Sequence, residues 1–377
     1  MYVSKTIINS VGRKSSIVVS RMGVYSLRIS RFSTPSTSRA SLSSIADGSG
    51  FDKIGCVGLG LMGHGICQVA ATSGIHSKII AFEQEQRFLD SGNERIIKSI
   101  DKLVEKGKMT LDNANDAMGK IEFTTNVDAL SDADFIVEAV VENIDLKKDL
   151  YTTLGNICRP ETIFASNTSS LSIGEMAAFS GRPDKFLGVH FFNPVQVNFP
   201  HFRKLAIYSL RGKRKCARWC LICQFFVASQ IMKVVEVIKT DETDPVVLEK
   251  GLKWVEEIGK VSVVCDDTPG FIVNRILVPM LMQSMTLIDR QVASVKDVDA
   301  AMKLGCGHPM GPLHLADYIG LDTCYFIVKG WMEKYPNESD FFIPACLQVM
   351  VEAGNLGRKT GKGFYHWEGE KVGDPVE

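Results

Sequence analysis

The chain has 377 residues, 43 Lys and Arg against 43 Asp and Glu, and 45% hydrophobic content. That length suits two domains, each with its own core, and the balanced charge argues against nucleic acid as a partner. No apolar run reaches the ~18 residues of a membrane helix, so no transmembrane segment is expected. Ten cysteines at mostly irregular spacings read as reduced thiols, since a chain this long needs no disulfide staples.

Residues 1–46 carry Lys5, Arg13, Lys14, Arg21, Arg28, Arg31 and Arg39, many serines, and no acid before Asp47. A basic, Ser-rich, acid-free leader predicts a mitochondrial transit peptide and a mature protein in the matrix. "KIGCV" (53–57) then predicts a short buried parallel strand. Gly58, Gly60 and Gly63 follow as G-x-G-x-x-G, and "LMGHGICQVAA" reads as a helix. Gly58 allows the tight turn, Gly60 lets backbone approach a pyrophosphate, and Gly63 lets helix and strand pack closely. The helix start offers free N–H groups and a partial positive charge. A second strand over 78–83 ends in Glu83, where a carboxylate accepts ribose hydroxyls and repels a 2′-phosphate. The pattern predicts a dinucleotide site that favours NAD over NADP.

A helix over 87–107, strands over 120–125 and 132–142, a helix over 145–158 and a strand over 162–167 continue the alternation. It predicts an α/β fold with a Rossmann-type doubly wound sheet. In "FASNTSSLSIGEM", Ser172 and Glu175 have capping-box spacing. Asn167, Thr168 and Ser169 remain, just past a strand's carboxyl end, where open α/β sheets bind ligands. His190 lies in strand-like "FLGVHFFNPV" and Glu236 in strand-like "MKVVEVIKT". A buried carboxylate needs a partner. Paired with His190, it would fix the imidazole tautomer and stabilise its charged form, making the histidine a general acid/base.

Thr268-Pro269 reads as the N-cap and first residue of a helix, and Asn274 within it needs a polar partner. From there helices are expected over 269–290, 296–304, 313–334 and 341–354, with "GHPMGP" (307–312) as a tight turn. The expected organisation is a leader to residue 46, an NAD-binding domain over 47–267 and an all-helical C-terminal domain over 268–377.

Eight stretches in order carry a family resemblance: "VGLGLMGHGICQVAA", "VEAVVEN", "FASNTSSL", "HFFNPV", "KVVEVIKT", "DTPGFIVNRILVPML", "AMKLGCGHPMGPLHLADYIGLDT" and "RKTGKGFY". Over about residues 51–196 and 231–367 the chain resembles the mitochondrial short-chain L-3-hydroxyacyl-CoA dehydrogenases of fatty-acid β-oxidation. The resemblance implies that NAD takes a hydride from C3 of an L-3-hydroxyacyl-CoA while His190 takes the hydroxyl proton. It implies that Glu236 orients His190, and that Ser169 and Asn274 hold the reacting oxygen. By position it also assigns Leu61, Met62, Glu142, Lys147, Ser169, Asn193 and Lys359 to the cofactor. Ser99, Lys106 and Ser169 are assigned to coenzyme A, no metal is implied, and a homodimer through the helical domain is. His64 stands where the family has a small residue, which would crowd the helix entrance. A related 3-hydroxybutyryl-CoA dehydrogenase, and a non-catalytic NAD-binding protein, remain open as alternatives.

One segment breaks the pattern. Residues 197–230, with "KRKCARWC" at their centre, hold seven Lys and Arg and no acid, where the family has a short turn. Cys216, Cys220 and Cys223 with His201 do not form a usual structural-zinc set. The segment begins with Val, whose codons start GT, and ends with Gln, which CAG encodes. Without it, His190 and Glu236 stand 12 apart, a spacing that suits facing positions of a hairpin. The expectation is translated intron sequence.

Overall fold

The structure, a computed structural model, describes residues 48–195 and 232–376. The basic leader 1–46 and the segment 197–230 lie outside the described residues. The first part contains β1 (Lys53–Val57), α1 (Gly63–Thr72), β2 (Lys78–Phe82), α2 (Gln86–Glu105), α3 (Leu111–Gly119) and β3 (Ile121–Thr124). It continues with β4 (Phe135–Glu138), α4 (Ile144–Ile157), β5 (Ile163–Ser166), α5 (Ile173–Phe179) and β6 (Phe186–Phe191). After the basic segment come β7 (Val234–Lys239), α6 (Pro245–Glu257) and β8 (Val261–Asp266).

These strands form one sheet in the order β3-β2-β1-β4-β5-β6-β7-β8. All neighbours are parallel except β6 and β7. Because side chains alternate along a strand, a sheet covered on both faces needs apolar residues at both parities. Ile54, Cys56, Ile79, Ala81, Phe135 and Val137 face one core, with α1, α2, α3 and α6. Val57, Ile80, Phe82, Ile136 and Phe164 face the other, with α4 and α5. The doubly wound expectation is met. Sequence reading missed α3, α6 and β8, and it drew β4 too long.

The C-terminal region packs α7 (Val273–Asp289), α8 (Val295–Gly305), α9 (Pro312–Ile319), α10 (Leu321–Lys334) and α11 (Ala345–Glu352) around Leu281, Met285, Leu313, Cys324 and Leu347. The all-helical expectation holds for its body, and a two-stranded hairpin, β9 (Tyr365–Glu368) with β10 (Lys371–Pro375), closes it. Buried Asp317 on α9 accepts bonds from Phe364 N, Tyr365 N and Trp367 Nε1, each at 2.9 Å, which ties the hairpin down.

The helix expected over 341–354 is shorter, Ala345–Glu352, and two other boundaries differ for a visible reason. The expected helix over 313–334 is two helices, because Gly320 at φ +109° turns the chain between them. Thr268-Pro269 does not start α7. Phe271 N donates to Thr268 O at 3.0 Å, and Gly270 has φ +75°. Pro followed by a positive-φ Gly is the composition of a type II turn, which here displaces the helix start to Val273.

Candidate active site

Antiparallel pairing of β6 with β7 places His190 directly opposite Glu236. Both side chains leave the sheet on one face, and both are buried. His190 Nδ1 lies 2.7 Å from Glu236 Oε2, so Nε2 is left for the cavity that His190 lines. The other carboxylate oxygen, Oε1, accepts Ile272 N at 3.0 Å and Val273 N at 2.8 Å. A helix start has orphan N–H groups and favours negative charge. Glu236 therefore caps α7, which has no side-chain cap of its own. Its burial as a charge is satisfied on both oxygens. The His190 ring packs against two aromatic rings, Phe192 at 4.5 Å and Phe271 at 5.6 Å between centroids.

The cavity beside His190, about 460 Å³, is also lined by Gly60, Leu61, Met62, Glu142, Ser169 and Asn193. Ser169 lies past the end of β5. Asn167 and Thr168 beside it are used by the fold: Asn167 Oδ1 accepts Phe191 N at 2.8 Å, and Thr168 Oγ1 donates to Glu142 at 3.0 Å. Glu142 also accepts Ser169 N at 2.8 Å. Ser172 caps α5 by accepting Glu175 N, as its spacing implied.

Behind this loop lies a charged network whose centre, Glu138, the sequence reading missed. Glu138, fully buried at the end of β4, accepts Val140 N at 2.7 Å, Ser166 Oγ at 2.7 Å and Tyr151 Oη at 3.0 Å. Lys147, also buried, sits 3.0 Å from Glu138 and 3.3 Å from Glu142. An acid closing an apolar strand, as Glu83 does, was the available signal for Glu138.

A second cavity of about 1040 Å³ continues from the first over Gly60, Ala139, Val140 and Val141, and reaches Gly58, Glu83 and Arg95. Together they follow the carboxyl ends of the strands, where doubly wound sheets bind dinucleotides. The glycine loop has the required shape. A Cβ on Gly63 would fall 1.7 Å from Gly58 O, whereas one on Gly60 would meet nothing within 4 Å. Close packing is thus needed at the first position and open backbone is presented at the second. Glu83 Oε2 accepts Leu59 N at 2.7 Å, which orients its carboxylate. His64 does not block the loop: its Nδ1 lies 2.6 Å from Gly60 O. Burial lowers the pKa of His64, against the pull of that carbonyl. These residues fit a dinucleotide.

The structure brings Gly58, Gly60, Leu61, Met62, Glu83, Glu142, Ser169, His190 and Asn193 to the two cavities. It leaves the other expected residues outside their linings. Lys147 lies behind Glu142, and Asn274 follows the Val273 N–H that Glu236 holds. Lys359 pairs with Asp322 at the start of α10. Ser99 is half-buried on α2, and Lys106 is exposed just beyond it. Arg95, one turn before Ser99, lines the second cavity and was not singled out from the sequence.

Two family models match the chain. The NAD binding domain of 3-hydroxyacyl-CoA dehydrogenase matches residues 53–198 and 204–268, and that family's C-terminal domain matches 270–367. A probable 3-hydroxybutyryl-CoA dehydrogenase of Deinococcus radiodurans is 42% identical, over 84% of this chain and 100% of its own. The mitochondrial hydroxyacyl-coenzyme A dehydrogenase of Rattus norvegicus is 40% identical, over 83% of this chain and 90% of its own. The solved (S)-3-hydroxybutyryl-CoA dehydrogenase of Ralstonia eutropha is 33% identical with a TM-score of 0.73, covering 84% of this chain and 99% of that one.

Proposed function

Since the chain belongs to the 3-hydroxyacyl-CoA dehydrogenase family and is an NAD-dependent oxidoreductase, we propose that it oxidises L-3-hydroxyacyl-CoA to 3-oxoacyl-CoA in fatty-acid β-oxidation, with His190 as its acid–base residue. The observation that carries this reading is the 2.7 Å contact of His190 Nδ1 with buried Glu236, beside a cavity that Ser169 and Asn193 also line.

NAD, when bound, supplies the hydride acceptor. The chain's own part is to hold the substrate and move a proton. His190 Nε2 accepts the proton of the C3 hydroxyl. Glu236 keeps the imidazole in the tautomer that leaves Nε2 free, and stabilises the imidazolium that results. Ser169 and Asn274 hold the reacting oxygen, and Glu142 fixes the Ser169 loop from below. Gly58, Gly60, Leu61, Met62 and Gly63 cradle the pyrophosphate, and Glu83 takes the ribose. Asn193 and Glu142 border the nicotinamide end, with Lys147 setting Glu142 and Lys359 approaching from the C-terminal region. Ser99 and Lys106 on α2 serve coenzyme A.

The basic leader supports import into the mitochondrial matrix. Ile276, Leu304, Phe326 and Val349 are exposed on the C-terminal helices at 63% or more, which supports a homodimer through that region. No described helix is long and apolar enough to cross a membrane.

The test is NADH oxidation with acetoacetyl-CoA, followed by absorbance, for the chain and for His190→Gln. Turnover that the substitution abolishes is expected. A folded wild-type chain inert toward both short and long 3-oxoacyl-CoA esters would sink the proposal.

A further inference from the structure

Phe271 has φ +54°. Bulky side chains rarely adopt this left-handed region, which costs conformational energy and persists only where the surroundings enforce it. Among the described residues the other non-glycine case is Gln291, exposed just past the end of α7, where left-handed residues commonly close helices. Phe271 has no such excuse. It lies at the start of that helix, its side chain is 4% exposed, and Gly270 before it is also left-handed. The turn is enforced from behind: a Cβ on Gly270 would fall 2.6 Å from the Trp331 ring and 2.8 Å from Arg275 N.

The consequence of this backbone falls on two atoms of one pair. The ring of Phe271 is directed at His190, 5.6 Å away and inclined 57°. The next two N–H groups, of Ile272 and Val273, point together at Glu236 Oε1, at 3.0 Å and 2.8 Å. Phe192 also packs against the imidazole, at 4.5 Å between centroids.

Resting on the reading that His190 and Glu236 carry the acid–base step, we propose that Phe271 is a positioning residue for them, its left-handed backbone aiming one side chain at the histidine and two amides at the carboxylate. Phe271 does not itself line the cavity beside His190. It acts through the pair, so its effect depends on the pair being intact.

The experiment is a double-mutant cycle of Phe271→Leu with Glu236→Gln in the full chain, read as kcat and KM for NADH and acetoacetyl-CoA. Leu keeps bulk and removes the ring. In the wild-type background kcat is expected to fall at least about tenfold, with both KM values within about twofold, because the loss lies in the transition state. In the Glu236→Gln background the same change is expected to cost less than about threefold, because residues acting as a unit are not additive. Equal losses in both backgrounds, or a kcat within about twofold of wild type, would overturn the inference and leave Phe271 a fold residue. If Phe271→Leu does not fold, Phe271→Met is read in the same cycle. A fully active His190→Gln enzyme would overturn the underlying reading instead, and is measured separately.

Discussion

Glu236 binds His190 through one oxygen and the start of α7 through the other. The sheet and the helical region are thus joined at the residue that orients the imidazole. Glu236→Gln can keep its oxygen on the α7 amides only by turning its NH2 group to His190 Nδ1, which then must accept, so the proton moves to Nε2 and the base is lost. We expect kcat to fall on the order of 10²-fold, within the range of general acid–base contributions, and the melting temperature to fall as well. A variant that loses activity but keeps its melting temperature would show that the negative charge adds little to the α7 cap.

Lys147 joins Glu138 to Glu142 inside the protein. Removing one partner of a buried pair leaves an uncompensated charge, at a cost of about 3–5 kcal/mol. Lys147→Met is therefore expected to destabilise strongly, measured by urea unfolding, and to raise KM for NADH by freeing the Glu142–Ser169 contact. Lys147→Met together with Glu138→Gln should recover part of the stability.

Lys260, buried at the edge of β8, donates to Val195 O at 2.7 Å and Met232 O at 3.1 Å. It clasps the two chain ends that flank the basic segment. Burial pulls its pKa from 10.5 down to about 8. The unfolded chain thus binds more protons than the folded one between about pH 8 and 10.5, and stability contributed by this group rises with pH across that window. Melting temperatures should show this as an upward trend, relative to Lys260→Met, that flattens below about pH 8.

Glu83 presents a carboxylate, fixed by Leu59 N, where a ribose would lie. A 2′-phosphate there would meet like charge. We expect kcat/KM with NADPH to be at least about 10²-fold below that with NADH, and Glu83→Ser to narrow the gap mainly by weakening NADH. Equal use of both cofactors by the wild type would contradict this role.

Val195 and Met232, the last and first described residues on either side of the segment 197–230, both accept from Lys260, and His190 is paired with Glu236. We propose that residues 197–230 are translated intron sequence. Deleting them should retain or raise NADH oxidation and raise the melting temperature, since shortening a loop lowers the entropy lost on closing it. Genomic DNA without GT and AG at the two borders would refute the intron reading, whatever the deletion does.

The residue pattern alone determined the sheet from β1 to β7, the glycine loop, Glu83 and the pairing of His190 with Glu236. These follow from rules of short range: period-two burial, a turn that only glycine tolerates, and a strand spacing counted along the chain. Tertiary packing decided the rest. Thr168 and Ser169 are alike in sequence, yet packing turned Thr168 inward to Glu142 and left Ser169 at the cavity. Lys147 is assigned to the cofactor by resemblance, but pairing with Glu138 and Glu142 holds it in the core behind the cavity. The Pro-Gly turn that moved the start of α7 has one meaning locally, while its use, aiming amides at a carboxylate 36 residues earlier, exists only once sheet and helix are packed. Partners that far apart in the chain are set by how faces fit together, and no local periodicity encodes them.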